Sequence, residues 1–147
     1  VTVFRTIAVG SPDYGRELAL RDAVLRKPLG LSLGPVDLEK EQGEYHFGLF
    51  DEAGVLLACA IGSPLSATEA RIRQVAVAAD RQGRGLGRRL MLEAEAALAA
   101  KGFTRLELHA RVSVEGFYRK LGYAPVGQEF LEVSLPHIAM VKSVKPA

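Results

Sequence analysis

The sequence predicts a mixed α/β fold of the α+β kind, a mostly antiparallel sheet of six to seven strands with helices on its faces. Three features predict it. Hairpin-linked strand patterns occupy residues 44–77, the apolar pattern switches to a helical period over 84–101, and glycine or proline marks most junctions.

Residues 3–9 alternate loosely and are rich in β-formers, which suggests a first strand. Ser11-Pro12-Asp13 offers N-cap chemistry for a helix over 14–27, in which Leu18, Val24 and Leu25 share one side. Pro28 and Gly30 end that helix, and 30–43 reads as a loop or short helical turn. Strands at 44–50 and 55–62 flank a turn at Asp51-Glu52-Ala53-Gly54, and a third covers 70–77. The helix over 84–101 places Leu86, Leu90, Ala94 and Leu98 in register and stops at Gly102. A strand at 104–110 follows, then a short helix over 114–121 with Ser113 as N-cap and Gly122 beyond its end. Residues 123–144 read as two more strands with Pro136 near their junction. The order is βαβββαβαββ, and no repeat or linker divides it, so one domain over 1–147 is expected.

Composition narrows the function. The 147 residues carry 19 Lys+Arg against 17 Asp+Glu, a net charge of +2, which gives no mandate for nucleic acid. The length excludes a two-domain dinucleotide enzyme but suffices for a real core. Cys59 is the one cysteine, so no internal disulfide can form, and it reads as a small apolar core residue. The three histidines lack metal-ligand spacing, so no metal is expected. No apolar run reaches the ~20 residues of a membrane span. The first residues lack signal-peptide features, and a cytoplasmic setting without membrane contact is the expectation.

Residues 75–90, VAVAADRQGRGLGRRL, carry the chemistry. A strand enters a loop with Gly83, Gly85 and Gly87, and the loop opens directly into an amphipathic helix. Glycines there let a ligand approach the backbone. The first-turn N–H groups lack intrahelical partners and sit at the positive end of the helix dipole. With Arg81, Arg84, Arg88 and Arg89 crowded nearby, the segment suits a phosphate. A solvated basic helix start is the bland alternative. A P-loop is excluded because no Lys-Ser or Lys-Thr opens the helix. The Gly-x-Gly-x-Gly spacing and antiparallel strands also disfavour a dinucleotide fold, although Glu107 lies 20 residues after Gly87, where such a fold places its ribose-binding acid.

Gln82-Gly83-Arg84-Gly85-Leu86-Gly87 resembles the Gln/Arg-x-x-Gly-x-Gly/Ala signature of the GNAT superfamily of acyl-CoA-dependent N-acetyltransferases. Downstream, EGFYRKLGY at 115–123 resembles the family's second hallmark, and the strand order extends the likeness over the whole chain. The segments LRDAVLRKPLG and EFLEVSLPHIAM, with Pro136-His137-Ile138-Ala139-Met140, are similar to the small bacterial ElaA-like type. Arg111 departs from the neutral polar residue expected there.

The resemblance implies a sheet splayed at an acetyl-CoA cleft and flanked by about four helices. Gln82, Gly83, Arg84, Gly85, Leu86, Gly87 and Arg88 would hold the coenzyme A pyrophosphate. The strand segment Val75, Ala76 and Val77 would pair with the pantetheine arm through its backbone, and a bulge N–H near it would polarise the thioester carbonyl. Tyr118 matches the family tyrosine that protonates the departing thiolate. Independently, Val114, Phe117 and Leu121 share a helical side expected to face the core, with Tyr118 at its edge and able to reach a cleft. A phenol is neutral at pH 7 and can donate a proton.

The expected reaction is direct acetyl transfer from acetyl-CoA to a primary amine of a small molecule. Glu69, Glu107, His46, His109 and His137 are the candidate proton acceptors, with His46 and His137 on the acceptor side. Glu17, Asp22, Asp37, Glu39 and Glu41 hint at a cationic amine. An amino-sugar phosphate is favoured instead if Arg21, Arg26 and Lys27 face the cleft. A non-catalytic acyl-CoA-binding regulatory module is the alternative function. Nucleic-acid binding is disfavoured because no aromatics interleave the arginines. A homodimer is compatible with the family.

Overall fold

The computed structural model describes residues 2–32 and 34–145. Strand β1 (Val3–Ile7) leads to helix α1 (Pro12–Arg21), whose N-cap Ser11 accepts the Tyr14 N–H at 3.2 Å. The helix then widens into a π-turn (Asp22–Arg26) and a 3-10 turn (Lys27–Leu29), and Gly30 terminates it with φ +72°. The expected loop contains a short helix α2 (Leu38–Gln42), capped by Asp37.

Strands β2 (Tyr45–Phe50), β3 (Leu56–Pro64) and β4 (Glu69–Val77) follow as an antiparallel meander. A 3-10 turn (Ala79–Arg81) precedes α3 (Leu86–Ala100), and α3 crosses to β5 (Arg105–Arg111). A second 3-10 turn (Val112–Val114) opens α4 (Glu115–Lys120), and β6 (Ala124–Glu132) pairs with β7 (Leu135–Ser143). Ser113 does not cap α4: it lies inside the 3-10 turn, and Val114 takes the cap position without a side-chain hydrogen bond.

The seven strands are ordered β1-β2-β3-β4-β5-β7-β6. All neighbours are antiparallel except β4 and β5, which the α3 crossover makes parallel. That parallel pairing covers Glu69↔Arg105, Ala70↔Leu106 and Arg71↔Glu107, after which the two strands diverge. The sheet is therefore open from Ile72 and Leu108 onward.

Two cores flank the sheet. On the α3 face, Leu90, Met91, Ala94 and Leu98 pack on Ala70, Ile72, Leu106 and Leu108. This is the helical stripe read from the sequence. On the α1 face, Ile7, Tyr14, Phe50, Leu56, Cys59 and Ala76 form a smaller cluster. Cys59 is buried there, and burial pushes its thiol pKa well above the ordinary range. Side chains alternate along β5: Leu106, Leu108 and Ala110 enter the α3 core, so Glu107, His109 and Arg111 point the other way. Among the described residues, no helix is long and apolar enough to cross a membrane.

Candidate active site

The divergence of β4 and β5 opens a cleft of about 710 Å³ through the sheet. One mouth lies between α3 and α4, lined by Arg81, Gln82, Gly83, Gly85, Leu86, Gly87 and Arg88 with Phe117 and Tyr118. The other faces the π-turn and the β6–β7 turn, lined by Arg26, Arg73, His109, Arg111, Glu132 and His137.

Strand β4 forms one wall and is bulged where it leaves β5. Cys59 pairs with Ala76 and Ile61 with Arg73, so Gln74 and Val75 together oppose Ala60. Gln74 takes φ +53°, and its carbonyl accepts the Cys59 Sγ–H at 3.8 Å. The bulge turns Val75 and Val77 toward the α3 core, while Ala76 enters the α1 cluster. Backbone of this segment thus borders the cleft without a neighbouring strand on the β5 side.

At the end of β4 the Gln82 side chain donates to the Val77 carbonyl at 3.1 Å, tying the loop back to the strand. Gly83 (φ +79°) and Gly85 (φ +77°) adopt left-handed conformations, and a Cβ on either would meet nothing within 4 Å. Gly85 is the N-cap of α3 and makes no side-chain cap bond, so the Leu86, Gly87 and Arg88 N–H groups face outward into the cleft mouth. Gly87 differs: a Cβ there would come within 3.4 Å of Phe117, so this glycine permits close packing of α3 against α4. Arg84, expected beside the phosphates, does not line the cleft and is exposed.

Tyr118 borders the cleft from α4 and packs edge-on against Phe117 and Tyr123, at 5.1 and 6.0 Å between ring centroids. Its hydroxyl takes no protein hydrogen bond among the described residues. Burial pushes its pKa up to about 12. The expected core side of α4 is corrected here. Leu121 is buried, but Val114 and Phe117 are 43% and 38% exposed and line the cleft instead. Tyr123 rather than Phe117 anchors the segment, through the hydrogen bond from its hydroxyl to Glu95 at 2.8 Å. Lys142 spans Glu95 and the Leu121 carbonyl, fixing the end of α4.

The histidines separate. His46 is buried away from the cleft, with Nδ1 2.9 Å from both Glu17 carboxylate oxygens and Nε2 2.8 Å from the Glu41 carbonyl. Both ring nitrogens face acceptors, so the arrangement asks for the imidazolium form. Burial alone would lower the His46 pKa, but the Glu17 hydrogen bond and charge outweigh it and raise it. The expected acceptor-side role for His46 is therefore replaced by a structural one. Glu17, Glu41 and His46 place three ligand-type atoms within 4.8 Å. Arg21 already supplies the cation there, 2.9 Å from Glu17 and 2.8 Å from Glu41.

His137 does line the cleft. Its Nδ1 donates to the Leu135 carbonyl at 2.8 Å, leaving Nε2 toward Glu132 at 3.6 Å. His109 holds the other Glu132 oxygen at 3.0 Å through Nδ1 and faces Glu107 at 3.4 Å through Nε2. Glu107 is engaged by Arg71, and Glu69 pairs with Arg105 where β4 and β5 are still paired. Glu132, which the sequence reading missed, joins the two cleft histidines because the β6–β7 hairpin turns at Val133 and Ser134 beside it.

The family model described as "Acetyltransferase (GNAT) domain" matches residues 36–144. The Bacillus subtilis (strain 168) protein YyaT, an uncharacterized protein, is 33% identical over 75 residues, and the match spans about half (51%) of its length. The uncharacterized N-acetyltransferase YitI of the same organism is 30% identical over 136 residues, covering 86% of this chain and 89% of YitI. Among solved structures, Escherichia coli ElaA superposes with TM-score 0.82 at 20% identity, covering 97% and 99% of the two chains. A GNAT family acetyltransferase from Elizabethkingia anophelis with acetyl-CoA bound gives TM-score 0.71 at 15% identity, covering 97% and 98%. At these identities the solved structures show likeness of fold. The chain belongs to the GNAT acetyltransferase family.

Proposed function

We propose that this protein transfers the acetyl group of acetyl-CoA directly to a primary amine of a small molecule. The observation that carries the reading is the continuity of one cleft from the Gly83–Gly85–α3 corner, along the open edge of β4, to Tyr118. The corner fits a diphosphate on its own terms: outward N–H groups, open space where Cβ atoms would stand, and Arg81 and Arg88 beside it. Bound there, acetyl-CoA supplies an activated thioester. Backbone of Val75, Ala76 and Val77 binds the extended arm as an added strand would, and the apolar walls from Leu86 and Phe117 exclude water.

We assign the acid role to Tyr118 because its hydroxyl borders the cleft with no protein hydrogen-bond partner among the described residues, so the O–H is available to a departing thiolate. The amine enters from the opposite mouth, where the His109–Glu132–His137 group can accept its proton.

Calorimetric titration with acetyl-CoA and a thiol-release assay over a panel of amines test the reading together. Wild type should bind acetyl-CoA in the micromolar range, and Tyr118→Phe should lower kcat on the order of 100-fold while leaving acetyl-CoA affinity within about twofold. Absent acyl-CoA binding would defeat the assignment altogether. Binding with a kcat indifferent to Tyr118→Phe would remove the acid role.

A further inference from the structure

The acceptor mouth of the cleft carries three arginines that differ in how they are neutralised. Arg73 is held by Glu44 at 2.7 Å and Glu41 at 3.5 Å. Arg26 donates only to the carbonyl of neighbouring Leu25, at 3.3 Å, and the Arg111 guanidinium makes no ion pair or hydrogen bond among the described residues. Both are half-buried and both line the cleft, one from the π-turn and one from the end of β5. The single carboxylate in the lining, Glu132, is shared by His109 and His137. Asp22, on the same turn as Arg26, faces Lys27 at 3.6 Å.

Like charges therefore meet in a partly desolvated space. Burial, together with the charges of Arg21, Arg111 and Arg73, pulls the Arg26 pKa below its ordinary value, outweighing the opposite pull of Asp22. Holding two guanidiniums in a lining whose one carboxylate, Glu132, is already shared by two histidines costs free energy, and a bidentate oxyanion is the group whose geometry offsets it. The acids that hinted at a cationic acceptor do not compete. Glu17 and Glu41 are buried against Arg21, and neither lines the cleft. Gln74 adds a complementary feature. Its amide borders the same cleft, and its buried Oε1 has no hydrogen-bond partner, which suits an N–H donor.

We propose that the acceptor is an amine bearing a carboxylate or phosphate, and that Arg26 and Arg111 clamp this anion at the acceptor mouth while the amine points inward toward Gln74 and the β4–β5 split. The proposal rests on the acetyl-transfer reading above and assigns its substrate class. Of the basic residues weighed from the sequence, Arg26 alone serves this site. Arg21 is consumed by buried carboxylates, and Lys27 is outside the lining.

Two measurements test it. In the first, inorganic phosphate and acetate are titrated separately into protein saturated with acetyl-CoA, following the arginine Nε–H resonances. At least one anion should shift Arg26 and Arg111 saturably, and Arg111→Gln should abolish the Arg26 shift. Phosphate-only or acetate-only response tells which anion the site takes; silence of both resonances to both anions overturns the proposal. In the second, thiol release is compared for glucosamine against glucosamine 6-phosphate and for β-alanine against β-alaninamide. The anionic member of at least one pair should have kcat/KM roughly tenfold higher, and Arg26→Gln or Arg111→Gln should erase that preference through KM. Turnover with no preference for the anion, in protein that binds acetyl-CoA normally, overturns the anionic acceptor and spares acetyl transfer. Failure to bind acetyl-CoA is the separate failure of the underlying reading.

Discussion

Tyr118 and His46 show how far one side chain's chemistry depends on what surrounds it. The phenol of Tyr118 is hemmed in by the rings of Phe117 and Tyr123, and burial alone raises its pKa. Ionisation of Tyr118 should therefore appear only around pH 12, against 10.0 for a free phenol. A near-UV difference titration of wild type minus Tyr118→Phe measures this directly; a tyrosinate step near pH 10 would refute it. The Phe-Tyr pair preceding Leu121-Gly122-Tyr123 made the place of this tyrosine at the cleft legible through the motif alone, since Val114 and Phe117 do not form the core face that helical spacing suggested. His46 was not legible in the same way. Its partners Glu17 and Glu41 stand 29 and 5 residues away in the chain, and only the packing of α1 and α2 over β2 joins them. His137, read from its Pro-His context, does border the cleft, yet its companion Glu132 follows from hairpin register, which no single position announces.

At the scale of elements, the glycine corner is the most sensitive feature. Gly85 combines a left-handed φ of +77° with the N-cap position of a 15-residue helix. A glutamate there meets no steric obstacle but strains the backbone and sets a carboxylate where the helix dipole favours a ligand anion. Gly85→Glu should weaken acetyl-CoA binding by about tenfold or more, read by calorimetry, with a modest loss of thermal stability. The anchor of α4 gives a second prediction. Glu95 is 5% exposed and serves both Tyr123 and Lys142, so Glu95→Ala leaves a buried phenol without its acceptor and a half-buried ammonium without its carboxylate. It should cost roughly 3 kcal/mol in denaturant unfolding, whereas a loss under about 1 kcal/mol would mean the cluster behaves as an exposed pair. The helical stripe of α3 and the capped start of α1 were plain from spacing and cap chemistry. The bulge at Gln74 was not, since it arises from a register shift between two strands. The π-turn after α1 was equally hidden, and it is what brings Arg26 to the cleft.

The molecule as a whole joins two sheets' worth of packing at one short parallel contact, and a buried charge network braces the half built from β1 to β4. Glu17, Arg21, Glu41 and His46 interlock beneath α1 and α2, with Tyr14 donating to Glu41 at 2.8 Å and Arg73 linking the set to β4. For Glu41, burial works to raise the pKa, but Arg21, Tyr14 and Arg73 outweigh it and hold it at about 2, below its ordinary 4.5. A depressed carboxylate stabilises the fold above its unfolded pKa, and that stabilisation fades as pH falls from 4.5 toward 2. Its full extent is on the order of 3 kcal/mol. His46 acts with the opposite sign: raised above 6.5, it stabilises fully below that value and loses its contribution as pH rises through the folded pKa. Stability should therefore be greatest between about pH 4.5 and 6.5 and decline on both sides. Denaturant unfolding across pH 3–9 measures the profile, with His46→Gln expected to flatten its alkaline arm. A wild-type stability that climbs steadily from pH 5 to 9 would show that His46 is not held as the imidazolium and that the brace beneath α1 and α2 is built differently.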